Sequence, residues 1–118
     1  MSHSFLAQAA NKKSMQLDLS MPRGQEIFRQ LVAQADIVLE NLVAGNMARF
    51  GLAYEDLKKV NPKIIYCSVT GYGQTGPTAR RAAIDGAVQA ASGLMTLTGT
   101  RETGPMKVGF LMADYATG

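Results

Sequence analysis

Ile64-Ile65-Tyr66-Cys67-Ser68-Val69 is the stretch that decides the architecture. It is rich in β-branched and aromatic residues, with Asn61-Pro62 before it and a glycine-rich run after it, the pattern of a strand buried in a sheet. On its N-terminal side, residues 54–60 read as a helix that closes at Asn61, because the residue before a proline avoids helical geometry. Further back, Ile37-Val38-Leu39 follows Asp36 as a short apolar run, consistent with a parallel strand covered on both faces. Residues 45–50 suggest a helical turn stopped by Gly51. Residues 25–34 place Ile27, Phe28, Leu31 and Val32 on one helical face. They follow the turn Ser20-Met21-Pro22-Arg23-Gly24, in which Ser20 is a candidate cap and Pro22 suits the first helical position. Residues 15–19 alternate apolar and polar and predict a further short strand.

On the C-terminal side, residues 70–78 hold three glycines and a proline and must be a loop. Residues 84–97 have helical spacing, and residues 99–104 form a second loop. The apolar residues 108–112 then lead into Ala113-Asp114, where residues 114–118 read as the first turn of a helix. Strand alternating with helix is the rhythm of a parallel α/β layer in one domain, with neither repeat nor linker.

Composition narrows the function classes. The chain has 118 residues, 47% of them hydrophobic, and a net charge of +3, which fits a globular domain and argues against disorder. Its basic residues are scattered in doublets (Lys12-Lys13, Lys58-Lys59, Arg80-Arg81), and no nucleic-acid-binding motif accompanies them. No apolar run reaches membrane-spanning length, and residues 1–10 lack the layout of a signal peptide. Cys67 is the single cysteine, so it forms no internal disulfide and fits a reducing cytoplasmic setting. Its apolar neighbours predict an inert core thiol, and His3, the sole histidine, lies in a polar stretch that offers it no partner base.

Seven blocks, in order, carry a resemblance to the family III CoA-transferases. Asn11-Lys12-Lys13-Ser14 with Leu17-Asp18-Leu19, Asp36-Ile37-Val38-Leu39-Glu40-Asn41, and Arg49-Phe50-Gly51-Leu52 resemble successive family segments. Asn61-Pro62-Lys63-Ile64-Ile65-Tyr66 and Gly71-Tyr72-Gly73-Gln74-Thr75-Gly76-Pro77 follow, the latter almost letter for letter. Gln89-Ala90 with Ser92-Gly93-Leu94-Met95 as one block, and then Thr98-Gly99, complete the series, and the likeness runs over nearly the whole chain.

The resemblance implies a partial Rossmann-like parallel sheet with flanking helices, part of the large domain of an interlocked homodimer. Residues 1–118 would be a piece of that domain, truncated at both ends and inactive in isolation. It implies transfer of coenzyme A between an acyl-CoA thioester and a carboxylic acid, with CoA as substrate and no metal. Asp114 matches the aspartate that forms an acyl anhydride in the family. Arg49 matches an arginine on the CoA phosphates, and its fixed guanidinium fork suits phosphate oxygens. Asn41 and Leu42, just past a parallel strand, match positions against the CoA nucleotide, and Leu17 is assigned to the same CoA-contacting set. Read without the family, Asp114 is an ordinary helix N-cap, Asn41 a loop cap and Arg49 a surface residue.

The Gly71–Pro77 loop lacks a Walker lysine and the Gly-x-Gly-x-x-Gly spacing, so its glycines are expected to let the backbone pass close to the acyl group or a partner chain. A basic residue that some relatives carry after the Leu-Asp-Leu block is replaced here by Ser20, which puts more weight on Arg49. The sister racemases carry Gly-His-Asp where this chain has Ala83-Ile84-Asp85. Ile84 cannot exchange a proton, which disfavours α-carbon epimerisation. A non-catalytic CoA-binding remnant is the remaining alternative.

Overall fold

Two strands, Ile37–Glu40 (β1) and Ile65–Ser68 (β2), pair in parallel, with Ile37 opposite Ile65 and Glu40 opposite Ser68. They are the centre of a computed structural model that describes residues 3–117. The predicted strand at 15–19 does not form: the segment pairs with no strand among the described residues. It ends instead in a tight turn, where the Ser20 N–H and hydroxyl both donate to the Asp18 carboxylate at 2.8 and 2.6 Å. Ser20 is thereby engaged with Asp18 and caps no helix.

A short helix at His3–Gln8 (α1) opens the described chain. Helix α2, Pro22–Val32, starts at the proline, with Met21 at the capping position. Its first turn presses against the preceding segment: a Cβ on Gly24 would lie 1.8 Å from the Asp18 carbonyl oxygen, so only glycine fits. Helices α3 (Asn46–Arg49) and α4 (Tyr54–Val60) fill the crossover between the two strands. Together they make the right kind of connection for a parallel pair, since parallel strands need a long crossover.

The core lies on one face of this sheet. Val32, Val38, Met47, Leu52, Leu57 and Ile64 are buried together, with Leu19, Phe28, Ala35, Phe50 and Tyr66 packed around them. Leu52 and Leu57 are fully enclosed, and burying each such side chain is worth about 1.5–3 kcal/mol. Polar side chains close the seams. Asn61 donates to the carbonyls of Val32 and Ala35, joining the end of α4 to the end of α2. Arg29 donates to the Gly51 carbonyl at 3.0 Å.

The opposite face is open. Ile37, Leu39 and Ile65 stand 58%, 70% and 61% exposed, which contradicts the expectation of strands buried on both sides. Cys67 shares this pleat and is half-buried, so it is not the enclosed core thiol that its neighbours suggested.

The remainder extends away from the sheet. Helix α5 occupies Asp85–Ala91, shorter than the predicted helix because Gly93 turns to φ 81° and a 3-10 turn follows at Leu94–Leu97. Residues 99–104 are not a plain loop: Gly99–Thr100 (β3) and Gly104–Pro105 (β4) form a minimal antiparallel ladder. Helix α6, Met112–Thr117, packs on α5. The radius of gyration is 17.7 Å, against the about 13–14 Å expected for a compact domain of this length.

Candidate active site

Asp114 is the third residue of α6, not its cap, and it is exposed. Its carboxylate makes no hydrogen bond among the described residues, whereas its backbone is held firmly. The Asp85 carboxylate Oδ1 accepts the N–H groups of Ala113 at 2.8 Å and of Asp114 at 3.3 Å. The N-cap duty assigned to Asp114 on spacing alone therefore falls to Asp85, from a different helix. Asp85 is 4% exposed, and Gln89, one turn further along α5, is completely buried. Gln89 Nε2 donates to Asp85 Oδ2 at 2.6 Å, and its Oε1 accepts the Val108 N–H at 2.9 Å. The sequence reading assigns neither residue a functional role. The signal was present: two polar side chains at i,i+4 on a helix otherwise made of Gly, Ala and Val.

Asn41 and Leu42 stand together at the C-terminal end of β1, where ligands of parallel α/β sheets bind. Asn41 Nδ2 donates to the Val69 carbonyl at 2.7 Å, so its amide links the two strand exits. The Leu42 N–H donates to Glu40 Oε2 at 2.8 Å, and the Ser68 hydroxyl donates to Oε1 of the same carboxylate. Glu40 thus organises this end of the sheet. Its charge, second to burial, also pushes the Tyr66 hydroxyl above its usual pKa of 10.0. In contrast, the Ser20 contacts hold Asp18 below the usual carboxylate value.

Arg49 ends α3 with its guanidinium exposed, donating to Asn46 Oδ1 at 3.4 Å. Leu17 is half-buried in the unpaired segment before α2. No hydrogen bond among the described residues joins Asp114 to Arg49, Asn41, Leu42 or Leu17. A cavity of about 320 Å³ opens between Ala44-Gly45 and the loop from Gln74 to Arg80, and none of these five residues lines it. The glycine loop has a second neighbour that the sequence did not reveal. Gly71 comes so near the segment leading into α5 that a Cβ there would meet the Ala83 Cβ at 2.1 Å. At that glycine the close approach is made to this chain itself.

A parallel strand pair with polar residues at its C-terminal edge, followed by a carboxylate on the first turn of a tethered helix, defines an α/β protein. A solved CAIB/BAIF family protein from Brucella suis superimposes with a TM-score of 0.81 at 47% identity, covering 87% of this chain and 27% of that one. The Rv3272 protein of Mycobacterium tuberculosis gives 0.83 at 37% identity, covering 90% and 30%. The profile of CoA-transferase family III matches residues 1–118, and the chain belongs to that family. Among its relatives, the mouse succinyl-CoA:glutarate CoA-transferase is 47% identical over 114 residues, 97% of this chain and 26% of that protein. The succinate–glutarate CoA-transferase of Agrobacterium fabrum is 49% identical over 107 residues, 91% of this chain and 27% of that protein. The chain spans about a quarter of the length of these curated relatives.

Proposed function

We propose that this segment works within a longer chain that moves CoA from an acyl-CoA thioester to a free carboxylic acid, with short dicarboxylic acids of the succinate and glutarate kind as substrates. The relatives named for succinate and glutarate support the substrate class. The observation that carries the chemistry is Asp114: an exposed carboxylate with no hydrogen-bond partner among the described residues, on a helix whose first turn is fixed through its backbone. Its oxygen attacks the thioester carbonyl, the C–S bond breaks, and CoA leaves as thiolate with Asp114 in a mixed anhydride. The thiolate attacks the aspartyl carbonyl, freeing the donor acid and leaving Asp114 as a CoA thioester. The acceptor carboxylate attacks that thioester, and the released thiolate then takes the new acyl group and restores Asp114. Thioester is exchanged for thioester, so no external energy source enters. A carboxylate is a weak nucleophile in water, and placement with exclusion of water supplies the rate.

Arg49, Asn41, Leu42 and Leu17 are assigned to CoA, Arg49 to its phosphates. Under the same reading the whole protein is a cytoplasmic homodimer, and the 118-residue segment alone has no turnover. Ile84, 76% exposed just before Asp85, offers no proton to an α-carbon, which weighs against a racemase. The test is to incubate the full-length protein with labelled succinyl-CoA and to trap with hydroxylamine. A hydroxamate at Asp114 with release of labelled succinate, lost in Asp114→Asn, is expected. Binding of CoA without that hydroxamate would instead make the protein a non-catalytic CoA binder, and α-proton exchange would make it a racemase.

A further inference from the structure

Two buried side chains of α5 hold four backbone groups of the segment that ends at Asp114. Gln89 donates from Nε2 to the Phe110 carbonyl at 3.3 Å and accepts the Val108 N–H at Oε1. Through Asp85 Oδ2 it is joined to the carboxylate whose other oxygen takes the N–H groups of Ala113 and Asp114. The partners of Asp85 are these neutral N–H groups, with no ion pair to a basic residue among the described residues. A buried carboxylate is expensive unless its oxygens are satisfied, so its two oxygens are committed, one to Gln89 and one to α6.

We infer that Gln89, acting through Asp85, is a positioning residue that sets where the Asp114 carboxylate stands. This rests on the reading of Asp114 as nucleophile. The chain of contacts is short: a fully buried amide, one carboxylate, two backbone N–H groups, then the reacting residue. Removing the Gln89 amide leaves Asp85 Oδ2, the Val108 N–H and the Phe110 carbonyl without these partners inside the protein. The segment 108–114 sits largely at the surface, so it relieves that cost by moving out to water and carries α6 with it. A displacement of about 1 Å at a reacting group costs on the order of 10²-fold in rate.

The test uses the full-length protein with Gln89→Leu, Gln89→Glu, Asp85→Asn and the double exchange Asp85→Asn/Gln89→Glu. Gln89→Leu is expected to lower kcat on the order of 10²-fold with KM for succinyl-CoA near its original value, and to speed amide exchange at Val108, Ala113 and Asp114. Gln89→Glu sets two carboxylates face to face and is expected to behave likewise. The double exchange restores the contact with donor and acceptor reversed. The introduced asparagine keeps its oxygen for α6 and donates its amide to the introduced glutamate, which still accepts the Val108 N–H. The double variant is expected to recover kcat and amide protection beyond either single variant. Because that rescue is independent of Gln89→Leu, the outcome stands even where the leucine variant does not fold. Unchanged kcat in Gln89→Leu, or a double exchange no better than its parents, overturns the inference. Should Asp114 form no hydroxamate in the unaltered protein, the nucleophile reading fails separately. The amide exchange in the same samples then still decides whether the clamp holds α6.

Discussion

Asn41 ties β1 to β2 beyond the last rung of their ladder, its side-chain amide donating to the Val69 carbonyl at 2.7 Å. The side chain assigned to a nucleotide is therefore already committed within the protein. Asn41→Ala is expected to cost about 1 kcal/mol of stability by the loss of this bond, read by urea denaturation. Asn41→Asp is expected to cost more, because it turns an acceptor toward an acceptor.

The two faces of the sheet should respond oppositely to truncation. Leu57→Ala empties a fully enclosed site and is expected to destabilise by about 2–5 kcal/mol. Leu39→Ala, on the open face at 70% exposure, is expected to leave the denaturation midpoint almost unchanged. Equal losses at both positions would mean that the open face is covered.

Tyr66 predicts a loss of stability in alkali. Burial, then the charge of Glu40, raise its hydroxyl above the ordinary 10.0, so the folded chain keeps that proton more tightly than the unfolded chain. Stability from this source is whole below about pH 10 and declines as pH rises through the folded-state value. Chemical denaturation of Tyr66→Phe across the same alkaline range should show a shallower decline than the unaltered protein.

Arg49 is exposed and contributes little to packing, so its removal tests the proposed contact with CoA apart from stability. Arg49→Gln is expected to weaken CoA by about 1.5–3 kcal/mol, the scale of a hydrogen bond to a charged group, with no change in thermal midpoint. Isothermal calorimetry against CoA measures it, and rising salt should narrow the difference.

Elements whose cause is local were legible in the sequence. Helix α4 ends at Asn61 because of Pro62, and β2 follows from its run of β-branched and aromatic residues. The strand expected at 15–19 has the right alternation, but a strand needs a neighbour, and alternation says nothing about whether one is present. Ile37 and Leu39 look like core for the same reason: apolar character marks what can be buried, not what is. In the candidate site, the proposal of Asp114 and Asn41 was legible from the family resemblance. The partnership of Asp85 with Ala113 and Asp114 was not, because it spans 28 and 29 residues and depends on how α5 meets α6.

The contact between Gly71 and Ala83 constrains how this protein can drift. With 2.1 Å available to the missing Cβ, a side chain at 71 is admissible where residue 83 surrenders its own methyl or the loop is rebuilt. Positions 71 and 83 should therefore vary as a linked pair, with the first accepting alanine mainly on backgrounds that carry glycine at the second. The loop that opens after β2 and the approach to the helix bearing Gln89 thus share one inheritance. A substitution at either is filtered first by its counterpart and only then by whatever binds nearby.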